Sequence, residues 1–185
     1  MKPKDYSMHE TLEDIIAAEE AKRTDLSEPF RDQHRALRSL LSEGSSYREV
    51  GIFQGTCALY QLGAGVKYME LIDITWDHCD IRDKFDDFAE RNDVTIKWMQ
   101  VEPDDLFPWH QSVDVTFIDG PKNAPYWTHA LNAYSKVTDK AIMVHDTELV
   151  KDRVGSTFID FVEANPEWKI NEINNIGAGY TLLTK

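Results

Sequence analysis

The chain has 185 residues, 33 of them acidic and 20 basic, for a formal net charge of −13. That length suits one domain, and a hydrophobic share of 42 % is enough to build its core. No Lys/Arg cluster supplies the basic patch that phosphates require, so a nucleic-acid partner is disfavoured. Cys57 and Cys79 make no disulfide framework, no secretory leader opens the chain, and no apolar run approaches the roughly 18 residues of a membrane span. A cytoplasmic, reduced protein with no membrane partner is expected.

Residues 8–23 read as a helix with Leu12, Ile15 and Ile16 on one stripe. Pro29 opens a second helix that runs through Leu37, Leu40 and Leu41 and stops at Gly44. The texture then changes. Strand-like runs at Tyr47–Gly51, Lys67–Asp73, Val94–Val101, Val113–Ile118 and Ala141–His145 alternate with helices over 55–64, 78–91, 124–136 and 153–164. This alternation predicts βαβ units and a mainly parallel sheet. Asn165-Pro166 ends the last helix. Trp168–Asn174 and Tyr180–Thr184 follow, joined by a connection too short for a parallel crossover, so they form an antiparallel hairpin. The expected fold is α/β and Rossmann-like, a seven-stranded, mostly parallel sheet with a C-terminal antiparallel hairpin and helices on both faces. Residues 45–185 form this core. The helices within residues 1–44 pack on or cap it, or else supply a homodimer interface.

Two constellations carry chemistry. Glu49-Val50-Gly51-Ile52-Phe53-Gln54-Gly55 joins a strand to a helix, and Asp73 closes the next strand. A glycine turn at a helix N-terminus admits a ligand close to the backbone, and an acid at the following strand end can accept hydrogen bonds from a ribose. The bland alternative is a turn whose glycines serve packing alone. The second constellation is Asp119-Gly120-Pro121-Lys122 after one buried strand and His145-Asp146-Thr147 after another. Neighbouring strands lie about 4.8 Å apart, so the two aspartates can share one hard cation. His145 reads as a packing or supporting residue rather than a ligand. Strand-end aspartates that only cap helices are the competing reading.

The E-x-G-x-x-x-G pattern resembles the first motif of the class I S-adenosylmethionine-dependent methyltransferases. The βα units with a terminal hairpin match that family's layout. The resemblance places Glu49, Gly51, Phe53, Gly55, Asp73, Asp119 and an acid of the loop after the third strand, Glu102 or Asp104, around S-adenosyl-L-methionine. Asp119-Gly120-Pro121-Lys122 resembles the D-x-x-K element of the metal-dependent catechol and caffeoyl-CoA O-methyltransferases. That implies Asp119 and Asp146 as Mg²⁺ ligands and Lys122 as general base toward a small-molecule hydroxyl. Thr147 stands where the family has asparagine, a poorer ligand in the same place. Tyr126 and Trp127 serve either as substrate wall or as core. Three other readings stay open. A nicotinamide-dependent oxidoreductase would share the crevice, but Phe53 occupies the place of its second glycine. A different enzyme on the same fold, such as an aminopropyl transferase or a hydroxylase-like relative, is the second. A relative of the methyltransferase fold that binds cofactor without turnover is the third.

Overall fold

The computed structural model of the chain describes residues 11–22, 28–79, 81–101, 111–154 and 156–185. In chain order the elements are α1 (Leu12–Lys22), α2 (Glu28–Ser39), β1 (Ser46–Val50), α3 (Thr56–Leu62), β2 (Tyr68–Asp73), α4 (Arg82–Asn92), β3 (Thr95–Gln100), β4 (Val113–Ile118) and α5 (Ala124–Tyr134). A 3₁₀ turn (Ser135–Val137) leads into β5 (Thr138–His145), followed by α6 (Lys151–Val154), α7 (Thr157–Ala164), β6 (Lys169–Asn174) and β7 (Tyr180–Thr184). The seven strands form one sheet in the order β3-β2-β1-β4-β5-β7-β6. β1 to β5 pair in parallel, and β7 runs antiparallel to both β5 and β6. This is the expected architecture.

Strand alternation divides the core into two layers, because successive side chains leave a strand on opposite faces. Tyr47, Met69, Leu71, Val115, Phe117 and Met143 face one way and pack with Leu59 of α3 and Phe85 of α4. Leu12 and Ile15 of α1 and Leu37 of α2 extend this layer, both helices docking on α3. Val50, Ile72, Ile118, Ile142 and Val144 face the other way, against Trp127 and Leu131 of α5 and Phe158 and Phe161 of α7. Trp127 is thereby a core residue, one of the largest fully buried side chains.

Several boundaries differ from the sequence expectation for local reasons. α1 begins at a reciprocal cap: the Asp14 N–H donates to Thr11 Oγ1 at 3.1 Å and the Thr11 N–H to Asp14 Oδ2 at 2.9 Å. α2 ends at Ser39, short of Gly44, because Leu40 and Leu41 tighten into bonds to the third carbonyl back. The helix expected from residue 78 starts at Arg82, since residues 76–79 first close a turn through Cys79 N–H to Trp76 O. The helix expected over 153–164 is two, α6 and α7. β5 starts at Thr138, earlier than the apolar run, because its polar first residues still pair with β4 before a register shift. Among the described residues no helix is long and apolar enough to cross a membrane.

Candidate active site

β1 lies between β2 and β4, so the chain leaves β1 toward one side of the sheet and returns on the other. Such a reversal opens a crevice at the carboxyl ends of the strands. Four functional positions meet this edge: Gly51 directly after β1, Asp73 at the end of β2, Asp119 directly after β4 and Asp146 directly after β5. A cavity of about 540 Å³ opens there, with Gly51, Asp73, Asp119, Lys122 and Tyr126 in its wall.

The glycine turn is shaped first by the protein itself. Gly51 has φ +89°, and a Cβ on it would stand 2.4 Å from the Asp119 carbonyl oxygen. Only glycine lets the ends of β1 and β4 approach this closely. The packing reading of the turn therefore holds at Gly51 alongside its place in the cavity wall. Asp73 fixes the rest of the turn. Its Oδ2 accepts the N–H groups of Ile52 (2.7 Å) and Phe53 (2.9 Å), and its Oδ1 accepts that of Ile74 (2.7 Å). A carboxylate has about four lone-pair sites, and the fourth donor, the Thr75 N–H, reaches Oδ1 only at a long 3.5 Å, so a ligand hydroxyl competes there for a weakly held site. Phe53 is held at φ +49° and is 57 % exposed, with its ring 5.4 Å from that of His78. A bulky residue at positive φ is uncommon, and such strain concentrates where a ligand is clamped. Phe53, Ile74 and Val101 give the cavity its apolar rim.

The second constellation converges into one cluster. Lys122 Nζ forms ion pairs with Asp119 Oδ1 and with Asp146 Oδ2, the latter at 3.1 Å. His145 places Nδ1 3.0 Å from Asp119 Oδ1 and Nε2 3.2 Å from Asp146 Oδ1. Burial alone would raise the Asp119 carboxyl, but His145 and Lys122 outweigh it and hold it below the usual range. Asp146 sits at φ +61°, a turn that swings its carboxylate back toward Lys122. Tyr126 covers the cluster from α5: Asn123 caps that helix by accepting the Tyr126 N–H at 3.0 Å, and the Tyr126 ring lies over Gly120, where a Cβ would meet its hydroxyl at 2.3 Å.

Asp119, His145 and Asp146 each offer a ligand atom, all within 4.8 Å of one another. Magnesium takes oxygen donors, whereas this set includes an imidazole, and Lys122 already pairs with both carboxylates and offsets one of their two charges. The donor set does not fit Mg²⁺. His145, expected only as a supporting residue, lies within 3.2 Å of both aspartates alongside Lys122. Thr147, expected as a third ligand, is buried and its hydroxyl finds no partner among the described residues.

Two expected cofactor contacts fall elsewhere. Glu49 is 1 % exposed and outside the cavity wall, because strand alternation turns it into the layer with α3. There Tyr47 donates to its Oε2 at 2.6 Å. Burial pushes the Glu49 carboxyl up to about 8 against that hydrogen bond, with Asp119 and Asp73 adding repulsion. Gly55 is also outside the wall and abuts Cys79, Ile81 and Phe85, so it serves helix packing. Glu102 and Asp104 lie outside the described residues. The sequence reading missed Ile74 and His78, which line the cavity. Their signal was position: they follow Asp73 on the loop leaving the ligand edge.

No protein-family profile and no curated protein sequence matches the chain. Solved structures do. An O-methyltransferase from Bacillus cereus in complex with SAH aligns at TM-score 0.65 and 16 % identity, covering 97 % of this chain and 93 % of that one. The O-methyltransferase TomG from Streptomyces achromogenes, involved in tomaymycin synthesis and solved with SAM, aligns at TM-score 0.60 and 15 % identity, covering 96 % and 90 %. At such identity the likeness establishes architecture, and the architecture is that of the S-adenosylmethionine-dependent methyltransferases.

Proposed function

We propose that the protein is an S-adenosylmethionine-dependent methyltransferase acting on a small-molecule hydroxyl. The observation that carries this reading is the charge of the cavity. Asp73 already binds the turn's Ile52 and Phe53 N–H groups, which a pyrophosphate would need. Asp119 adds a second carboxylate, and the wall's Lys122 is paired with it. A phosphate-bearing nicotinamide dinucleotide would meet repulsion here. A neutral ribose with a cationic sulfonium meets attraction. The apolar rim of Phe53, Ile74 and Val101 suits the planar base.

In this reading Asp73 accepts the ribose hydroxyls, and Asp119 and Lys122 face the reacting centre. When bound, S-adenosylmethionine would supply an electrophilic methyl group, its S–CH₃ bond exchanged for the O–CH₃ bond and a neutral thioether left. The chain's own work is positioning and exclusion of water. Lys122 stabilises negative charge on the acceptor oxygen, whose proton leaves to solvent, because Asp119 is held below the usual carboxylate range and is a poor acceptor for it. The sequence alone suggested Lys122 as the base. Its pairing with two carboxylates favours the electrostatic role instead.

Calorimetric titration with S-adenosylhomocysteine, with NAD as control, tests the assignment. Micromolar binding of the first alone is expected. Binding of NAD in its place would overturn it, and binding of neither would leave a relative that kept the fold without the cofactor.

A further inference from the structure

Resting on the methyltransferase reading, we propose that Lys122 is the site's own cation: it occupies the position from which a divalent metal would bridge Asp119 and Asp146, so acceptor activation here needs no metal. The geometry is specific. One ammonium contacts a carboxylate after β4 and a carboxylate after β5, and His145 stands within 3.2 Å of the same two carboxylates. Lys122 follows Asp119 by three residues on the turn whose Asn123 caps α5, so the chain delivers the ammonium to this point without a diffusional search. A dication entering between the carboxylates would have to expel Lys122 and leave its charge beside a second, larger one. Both side chains of the Lys122–Asp146 pair are shielded, 26 % and 18 % exposed, which strengthens that repulsion relative to open solvent.

The arrangement also accounts for the two departures from the magnesium pattern. A threonine at position 147 and an imidazole at 145 weaken an oxygen site for Mg²⁺, and neither matters where the cation is covalently supplied. Lys122 and Asp119 both line the cavity, so the ammonium is presented to an acceptor oxygen as a metal would be. It stabilises the oxyanion by charge and hydrogen bonding.

The test is titration of chelator-stripped protein with Mg²⁺ and Mn²⁺, using the wild type, Lys122→Met, Lys122→Gln and the charge-keeping Lys122→Arg. The wild type and Lys122→Arg are expected to take up neither ion. Lys122→Met and Lys122→Gln free two carboxylates and an imidazole, and should gain Mn²⁺ affinity by about tenfold or more. Tight Mg²⁺ or Mn²⁺ binding by the wild type, lost in Asp119→Asn, would overturn the proposal. So would failure of both neutral variants, folded by circular dichroism, to gain any binding. S-adenosylhomocysteine affinity, measured on the same samples in chelator, reads the cofactor assignment separately. Its absence would sink the methyltransferase reading while the metal titrations still decide whether Lys122 stands in a cation's place.

Discussion

Two glutamates on adjacent strands, one on each face of the sheet, are both buried, yet the protein treats them oppositely. Glu70 on β2 stands directly beside Arg48 on β1. Its Oε2 accepts from Arg48 Nε and pairs with Nη2, both at 2.8 Å, and Tyr68 donates to its Oε1 at 2.6 Å. Arg48 in turn reaches the Gln111 and Val137 carbonyls and the face of the Tyr134 ring. Glu49, next to Arg48 in sequence, points into the opposite layer, where it forms no ion pair among the described residues. Tyr47 and Cys57 are its polar neighbours, and burial favours its neutral form. A carboxylate in a sheet core thus keeps its charge where a guanidinium crosses from the next strand, and keeps its proton where only a hydroxyl and a thiol are at hand.

The largest effect should come from breaking the paired side. Arg48→Ala takes from the buried Glu70 its close guanidinium and leaves the half-exposed Lys97, 3.7 Å away, as a weaker counter-charge, and should cost roughly 3–5 kcal/mol of unfolding free energy. Urea denaturation reads this. The double change Arg48→Met with Glu70→Leu should recover most of the loss, because no orphaned charge remains. A single and a double variant equally unstable would show that the site's shape, not its charge, is what matters.

Next is the pH dependence of the unpaired side. The Glu49 carboxyl has its pKa raised from 4.5 unfolded to about 8 folded, so the folded chain binds the extra proton between those values. Its contribution to stability is complete below about pH 4.5 and is lost as pH rises through about 8. Glu49→Gln removes this dependence. Thermal melts from acid to alkaline pH should show the variant gaining on the wild type as pH increases, by roughly 3–5 kcal/mol in total. A constant gap across that range would mean Glu49 is ionised in the fold.

Asp73 extends the comparison to a carboxylate open to the cavity, whose partners are backbone N–H groups rather than a cation or a hydroxyl. Asp73→Ala should weaken S-adenosylhomocysteine binding by roughly 1.5–3 kcal/mol in calorimetry. Unchanged affinity in a folded variant would confine Asp73 to holding the glycine turn. The smallest effect is expected at Tyr47→Phe. It removes one hydrogen bond to a carboxyl that is already mostly neutral, for about 1 kcal/mol in a denaturant melt. A loss as large as that of Arg48→Ala would refute the neutral state of Glu49.

The architecture was legible because strand and helix periods are local properties. The strand-like runs of β1, β2, β4 and β7, and the short link that forces β6 and β7 antiparallel, can be read residue by residue. Asp73, Asp119 and Asp146 were legible as strand-end acids for the same reason. Thr138–Lys140 hid the start of β5 because polar residues that pair in a sheet carry no apolar signal. Glu49 looked like a ligand contact within its motif, but it sits on an inward-facing position of β1, and its neighbour Arg48 faces the other layer.

What the sequence determined by itself is therefore the order of strands and helices, the glycine turn and the acids at the ligand edge, all set by short-range patterning. Which groups meet was decided only by the tertiary structure. The strand reversal at β1 brings Gly51 against Asp119, and the β4–β5 pairing brings Lys122 and His145 between Asp119 and Asp146. These contacts join residues on different strands, and their energies depend on burial and on distances of a few ångströms that no local pattern encodes.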